Sequence, residues 1–419
     1  MQIFYRSVLH ILFLAFPCIT FSQSKYTLSG YIRDGANGEN LIGASIYTDG
    51  GTPQGTVTNV YGFYSLTLPE GDYEFTFSFV GYKSEVKKIS LRADVRENVD
   101  LEMKDMLDEV VITGERSNEN VHSTDMGKME LSIEEVKAIP ALLGEVDILK
   151  TLQLLPGVGN AGEGNSGFYV RGGGPDQNLI LLDEAVVYNI GHLFGFFSVF
   201  NSDAIKNVTL VKGGMPAQYG GRLSSVVDVQ MKDGNNQDFQ AEGGIGLSAS
   251  RFTMQGPIIK DKASFIVSAR RTYIDALIAP FIKNTDFSGN KYYFYDLNTK
   301  VNYKFSDKDR LFLSGYFGRD VFTYHSPDND FNVTIPWGNA TTTLRWNHLF
   351  SNKLFMNVSA IYNDYNFEVS SDFDDFEFTL FSGVQDWSGK IDFDYYLNSN
   401  HTFKFGANYA YHTFSPYSA

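Results

Sequence analysis

"KIDFDYYLNSNHTFKFGANYAYHTF" occupies Lys390 to Phe414, and its period decides the fold class. Ile391, Phe393, Tyr395 and Leu397 alternate with Asp392 and Asp394. After the polar turn "NSNH", Phe403, Phe405, Ala407, Tyr409 and Tyr411 alternate with Lys404 and Asn408. A strict two-residue period puts one set on each face of a strand. Helical spacing would mix the two sets. The stretch therefore reads as a β-hairpin with one apolar, aromatic face and one polar face.

The same period extends upstream. Val301, Tyr303 and Phe305 alternate with Lys300, Asn302 and Lys304, and Leu354, Met356, Val358, Ala360 and Tyr362 with Asn357 and Ser359. Runs of about ten residues, rich in Tyr and Phe and parted by turns such as "SDKD", fit membrane-spanning β-strands, with lipid on the outer face and water on the inner. A soluble β-sandwich shows the same period, so periodicity alone leaves both open. "DFDDF" (Asp372–Phe376) reads as a solvated loop rather than a calcium site.

The start of the chain favours the membrane. Arg6 precedes the apolar stretch "VLHILFLAFPCITF", and Ser22 offers a small residue for cleavage. Residues 1–22 read as a signal peptide, because the stretch is shorter than the ~20 residues of a membrane helix. Cleavage there would remove Cys18, the only cysteine, and with it disulfides and thiolate metal sites. No later run reaches ~18 unbroken apolar residues, so a span must be a barrel.

Composition narrows the rest. The chain has 419 residues, a formal net charge of -15, 15% aromatic residues and 39 Gly. An acidic balance excludes nucleic acid as the main partner, and the aromatic content excludes disorder. Chemistry is sparse. "GVGNAG" (Gly157–Gly162) follows a helical pattern rather than a strand, against a dinucleotide site. "GNSG" (Gly164–Gly167) is no nucleophile elbow. The 7 His have no zinc spacing. No enzyme activity and no cofactor are expected.

Upstream of the alternating zone lie three others. Residues 26–103 carry short strands at turn-punctuated spacing, a small β-sandwich. Residues 104–128 form a polar linker interrupted by "DEVVITG" (Asp108–Gly114), a β-branched strand with no partner strand nearby. Residues 129–234 read as α+β. Ser132 and Glu135 make a capping-box pattern. Val146, Leu149, Leu152 and Leu155 share a helical face that Pro156-Gly157 ends, and strands follow. Arg171, set among glycines in "YVRGGG", calls for a carboxylate, either Asp183 or one on the strands of residues 238–419.

These zones carry a resemblance. Gly43-Ala44, Thr58-Asn59, Gly62-Phe63-Tyr64 and Gly81-Tyr82 resemble the carboxypeptidase-regulatory-like domain, which brings no active site. "LQLLPGV" (Leu152–Val158), "FYVRGGG" (Phe168–Gly174), "LILLDEAVVYN" (Leu179–Asn189), "AIKNVTLVKGG" (Ala204–Gly214), "YGGR" (Tyr219–Arg222) and "SSVVDV" (Ser224–Val229) resemble, in order, the plug domain of TonB-dependent outer-membrane receptors of the Bacteroidota type. Glu184 and Val187 depart from the Gly and Pro common there, and the segment is unlike the plug of SusC-type glycan importers.

The resemblance implies a mainly β chain: a small N-terminal β-sandwich, an α+β plug, and from residue 238 to 419 part of an antiparallel transmembrane barrel. About eight strands are readable. An eight-stranded barrel is filled by its own side chains, whereas plugged barrels have about 22 strands, so a C-terminally truncated receptor is expected. It also implies a cell-outer-membrane location, with the sandwich and linker periplasmic. Uptake of an iron chelate, a cobalamin or a glycan is expected, energised through the TonB protein. Asp108, Glu109, Val110, Val111, Ile112 and Thr113 match the TonB box, which pairs as an added strand. Expected partners are TonB, outer-membrane lipid and an extracellular ligand, with or without a surface lipoprotein. Tyr188, His192 and Phe194, in "YNIGHLFGFF", are the candidate ligand contacts. The alternative is a non-transporting adhesin or carbohydrate-binding protein.

Overall fold

The structure is a computed structural model. It describes residues 24–48, 54–104, 127–139, 145–162, 166–283, 285, 288–326, 331–373 and 376–418. The expected signal peptide and Asp108–Thr113 lie outside the described residues.

The N-terminal zone is a two-layer β-sandwich. Its strands are β1 (Lys25–Asp34), β2 (Ser45–Thr48), β3 (Gln54–Val57), β4 (Phe63–Pro69), β5 (Gly71–Ser78), β6 (Glu85–Leu91), β7 (Val95–Arg96) and β8 (Val99–Leu101). One sheet is built around β1, which pairs β4, β7 and β8; the other runs β3-β2-β5-β6. Inward residues of both, including Leu28, Ile46, Leu66, Phe75, Phe77 and Leu91, form one core. Thr58 and Asn59 shape the turn before β4. The Thr58 hydroxyl donates to the Leu41 carbonyl at 2.7 Å. The Asn59 Oδ1 accepts from the N–H groups of Tyr61 and Phe63, both at 3.0 Å. Gly62 is required in that turn: its φ is +78° and a Cβ would lie 2.5 Å from that of Asn40.

The central zone is a five-stranded sheet of order β13-β12-β17-β16-β9. Its strands are β9 (Lys128–Ser132), β12 (Asn178–Leu182), β13 (Ala185–Val186), β16 (Ile205–Lys212) and β17 (Ser225–Met231). Two hairpins flank it, β10 (Val158–Asn160) with β11 (Phe168–Val170), and β14 (Gly191–His192) with β15 (Phe197–Ser198). Helix α1 (Ile133–Lys137) begins on the expected capping box of Ser132 and Glu135. Helix α2 (Ile148–Gln153) buries Leu149 and Leu152; it is shorter than the apolar face, whose outer members Val146 and Leu155 pack from the flanks. β12 is buried at every residue. Ile180 and Leu182 join the main core, while Leu179 and Leu181 join a second cluster on the other face. A run apolar on both faces marks a parallel strand covered on both sides, and β12 does pair β17 in parallel.

The last zone is one antiparallel sheet in which each strand pairs the next. It comprises β18 (Gln240–Ile245), β19 (Ala249–Ile259), β20 (Ala263–Thr272), β21 (Lys291–Lys304), β22 (Asp309–Ser326), β23 (Phe331–Ser351), β24 (Leu354–Phe373), β25 (Phe376–Asn398) and β26 (His401–Ser418). The described residues thus give nine strands where about eight were readable. Strands reach 23 residues in β25, longer than the ~10 needed to cross a bilayer, so the hairpins project beyond it. Helix α3 (Ile274–Ile282) lies in the β20–β21 connection. No described helix is long and apolar enough to cross a membrane.

The alternation holds, with one correction to its meaning. Lys300 and Asn302 are buried, while Val301 and Phe305 are exposed. From β20 to β24 the polar face of this sheet meets the plug rather than water, while β26 is exposed on both faces. Charged side chains there must find partners rather than solvent.

Candidate functional site

The site is the contact between the plug and the polar face of the nine-stranded wall. Charged and aromatic side chains from both sides meet there.

At one end stands the segment expected to approach a ligand. The Tyr188 hydroxyl donates to Asp386 Oδ2 at 2.5 Å, and burial raises the phenol's pKa. Asn189 and Asn339 exchange two hydrogen bonds, at 3.2 and 2.7 Å. His192 is enclosed, with 1% of its surface exposed. Its Nδ1 lies 2.6 Å from Asp320 Oδ2 and its Nε2 3.2 Å from Asp296 Oδ2. Its ring stacks on Phe294 at 4.0 Å. Burial is the largest influence on the imidazole and opposes its charge. The two carboxylates outweigh it and raise the pKa above its ordinary value. Asp320 also accepts from the Leu193 N–H at 3.1 Å and from the Tyr292 hydroxyl. Phe194, like Leu193 before it, takes a left-handed φ, here 55°, and it is 59% exposed. Its ring rests 5.1–6.0 Å from those of Tyr292, Phe322 and Trp337. Of the three candidates, Phe194 faces outward, Tyr188 is partly buried and His192 is locked inside.

Behind this segment lie two buried ion clusters. Arg270 donates from Nε and Nη2 to Asp296 Oδ2 at 2.9 and 2.8 Å, and from Nη2 to the Ser198 carbonyl at 2.9 Å. Plug residue Glu145 lies 3.6 Å from its Nη1. Further along β21, Lys300 Nζ sits 3.0 Å from Asp183 and 2.9 Å from Asp233, and donates to the Met231 carbonyl at 3.0 Å. Burial, the strongest influence on Asp233, raises its pKa, but Lys300 with more distant cations holds it well below the carboxylate range. Asp183 Oδ1 accepts from the Met231 N–H at 2.9 Å. Arg171 was expected to pair with Asp183 or with a carboxylate of the wall, and neither is found among the described residues: Lys300 takes Asp183. Arg171 is exposed with a φ of 49°, and no described carboxylate forms an ion pair with it. The turn glycines that surround Arg171 carry it out of the core rather than into it.

Glu184, the departure noted in sequence, stands where three parts meet. Its φ is 74°, a region costing a non-glycine residue about 1–2 kcal/mol. Its Oε1 accepts from the Tyr61 hydroxyl of the sandwich and from Asn357 Nδ2 of the wall, both at 3.1 Å. A small polar cleft opens beside it, lined by Asn59, Tyr61, Asp183, Asp228 and Lys390 among others. Burial pushes the Asp228 carboxyl up to about 6 against the pull of Lys390. Among the described residues no group of three or more His, Cys, Asp or Glu is placed to hold a metal ion.

The buried clusters escaped sequence reasoning. The signal was present as Lys300, Asp296, Asp320 and Arg270 on the inward period of the strands. Reading that face as water-filled concealed their need for partners.

Comparisons with known proteins agree with this geometry. A model described as the CarboxypepD_reg-like domain matches residues 28–112, and one described as the TonB-dependent Receptor Plug Domain matches residues 135–227. No curated relative matches the chain. Among solved structures, the chain is similar to the ferric-catecholate import receptor Fiu from E. coli K12, with a TM-score of 0.53 at 15% identity, covering 71% of this chain and 51% of that one. It is similar to the FrpB iron transporter from Neisseria meningitidis, with a TM-score of 0.52 at 15% identity and coverages of 70% and 50%. It also resembles the copper transporter OprC, with a TM-score of 0.51 at 12% identity and coverages of 70% and 46%. The chain thus spans about half the length of these structures, and the likeness is one of fold. The chain combines a CarboxypepD_reg-like domain with a TonB-dependent receptor plug domain, set against a β-sheet with the barrel fold of TonB-dependent receptors.

Proposed function

We propose that the chain is the N-terminal part of a TonB-dependent outer-membrane transporter for a scarce solute such as an iron chelate, a cobalamin or a glycan. One observation carries the reading. The plug is fastened to the inner face of the barrel wall by buried ion clusters, so a solute passes only when the plug moves. The sheet edges β18 and β26 do not pair with each other, and lipid does not tolerate open edges. The working transporter therefore needs further strands, about 22 in all. The domain limits are proposed as 26–103 for the sandwich, 104–128 for the linker and 129–234 for the plug. The wall begins at 238.

Energy would enter through Asp108–Thr113. An extended segment there can add to the edge of a TonB sheet with about five backbone hydrogen bonds, each about 1 kcal/mol. The sandwich and linker then lie in the periplasm, and the rim of the wall near Asn352 faces it. Phe194 and the aromatic rings around it face the opposite side, where ligand arrives, and offer stacking surfaces.

The experiment is a pull-down with the purified periplasmic domain of TonB. Val111→Pro removes a ladder donor and is expected to abolish capture, while Thr27→Ala in the sandwich leaves it intact. Equal capture of the Val111→Pro variant would sink the TonB-box assignment. Fractionation away from the outer membrane, or ligand binding with no uptake, would favour a non-transporting binding protein.

A further inference from the structure

The sandwich is not free of the rest of the molecule. Phe63 starts β4, yet it is absent from the sandwich core and fully buried in a different cluster. Its neighbours there are Leu349, Phe355 and Tyr396, from the rim of the wall. The rings of Phe63 and Tyr61 stack on Phe355 at 5.7 and 5.1 Å, and Phe63 meets Tyr396 edge-on at 5.9 Å. Polar contacts surround this aromatic seat. Asn59 Nδ2 donates to Asp394 Oδ2 at 2.9 Å, and Arg96 Nη2 donates to Asn352 Oδ1 at 3.2 Å.

A second foot stands elsewhere on the rim. The Asn236 N–H donates to the Asn37 carbonyl at 2.9 Å, and the Asp233 N–H donates to Glu39 Oε1 at 2.6 Å. The sandwich thus rests on both the β23–β25 rim and the segment that leads from plug to wall.

One feature ties this seat to the plug, and a second ties it to the inner face of the wall. The Tyr61 hydroxyl reaches Glu184, in the turn between β12 and β13. The same Tyr61 ring covers the guanidinium of Arg345 on β23, whose Cζ lies 5.4 Å from it and 4.4 Å from Phe312. No described carboxylate forms an ion pair with Arg345. Removing the sandwich would uncover this charge, the apolar rings of the rim and the strained Glu184 together.

We propose that the sandwich is a clamp docked on the rim of the wall, and that through Tyr61 and Glu184 it holds the β12–β13 turn of the plug in place. The clamp is released when the sandwich lifts from Phe355 and Tyr396. The inference stands on domain contacts and does not need the TonB-box assignment. If that assignment also holds, a pull on residues 105–126 loads the sandwich at one end and the plug at the other, and the clamp opens before the plug turn moves.

The test uses the full chain in detergent with Cys18→Ser, so that introduced cysteines are the only thiols. Arg96→Cys with Asn352→Cys is expected to cross-link efficiently through a short bismaleimide. Arg96→Cys with Ser326→Cys, at the far end of β22, is the control. Phe63→Asp and, from the other side of the seat, Phe355→Asp are expected to abolish the cross-link. Both are expected to raise amide exchange over Leu181–Val187 by at least about tenfold, with the centres of β16 and β17 unchanged. Cross-linking no better than the control would overturn the docking. Loss of the cross-link with unchanged exchange at Leu181–Val187 would overturn the clamp. So would a rise spread equally over β16 and β17, the mark of general unfolding.

Discussion

His192 shows how one residue can hold a plug. Its ring lies between Asp320 and Asp296, and both carboxylates favour its protonated form. Replacing it with Ala leaves two buried carboxylates facing a gap, answered by Arg270, Tyr292 and the Leu193 N–H. Breaking such a contact is expected to cost about 3–5 kcal/mol, read as lost amide protection over β14 and β15. The pH dependence follows from the raised imidazole pKa. A raised value means the folded state binds the proton more tightly. The stabilisation is therefore complete below about 6.5 and is lost as pH rises through the higher folded value. Protection of β14 and β15, corrected for intrinsic exchange, is expected to fall as pH rises through that folded value. His192→Gln is expected to flatten that profile. Lys300 makes the parallel case. Lys300→Met leaves Asp183 and Asp233 buried without their cation and is expected to cost about 3–5 kcal/mol. Adding Asp183→Asn to that variant is expected to recover part of the loss, seen as renewed protection of the Met231 amide.

At the scale of elements, the two faces of one strand obey different solvents. In β22, Phe312, Ser314 and Tyr316 are buried while Leu313 and Phe317 are exposed. The exposed set is the one proposed to meet lipid. Phe317 lies near the middle of the strand, and Phe317→Arg is expected to cost about 2–4 kcal/mol, measured by folding into lipid vesicles. The same change at Phe305, in the turn that follows β21, is expected to cost about 1 kcal/mol or less, because arginine there reaches the interface. Equal penalties at both positions would contradict the membrane-spanning assignment. The β12–β13 turn follows another rule. A hairpin of two left-handed residues favours glycine, yet Asp183 and Glu184 occupy it because both carboxylates are used. Glu184→Gly is expected to relax the backbone while losing the bonds to Tyr61 and Asn357.

At the scale of the whole molecule, three parts share one mechanical problem. Under the transport reading, a plug must be firm enough to seal and loose enough to move. Buried ion pairs suit that task because their strength depends on geometry; a small displacement exposes them to water and weakens them together. If the transport reading holds, uptake of a labelled iron chelate by cells carrying the complete receptor collapses with a protonophore. Much of this was legible in the sequence. The alternation of Ile391–Leu397 and Phe403–Tyr411 fixed an antiparallel sheet, because a period of two admits only one placement of side chains. Ser132 and Glu135 fixed a helix start, since capping is local. Thr58 and Asn59 were singled out only by resemblance, and the structure showed that they shape a turn. What the sequence could not determine was which distant residues meet. Lys300 lies 117 positions from Asp183, and nothing in either neighbourhood names the other. Arg171 was matched to Asp183 or a wall carboxylate on chemistry alone, and the turn around it sent it to the surface. Local propensity and periodicity are written in adjacent residues. The pairing of buried charges, and the seating of Phe63 on Phe355, arise only when the chain closes on itself, and tertiary structure alone decided them.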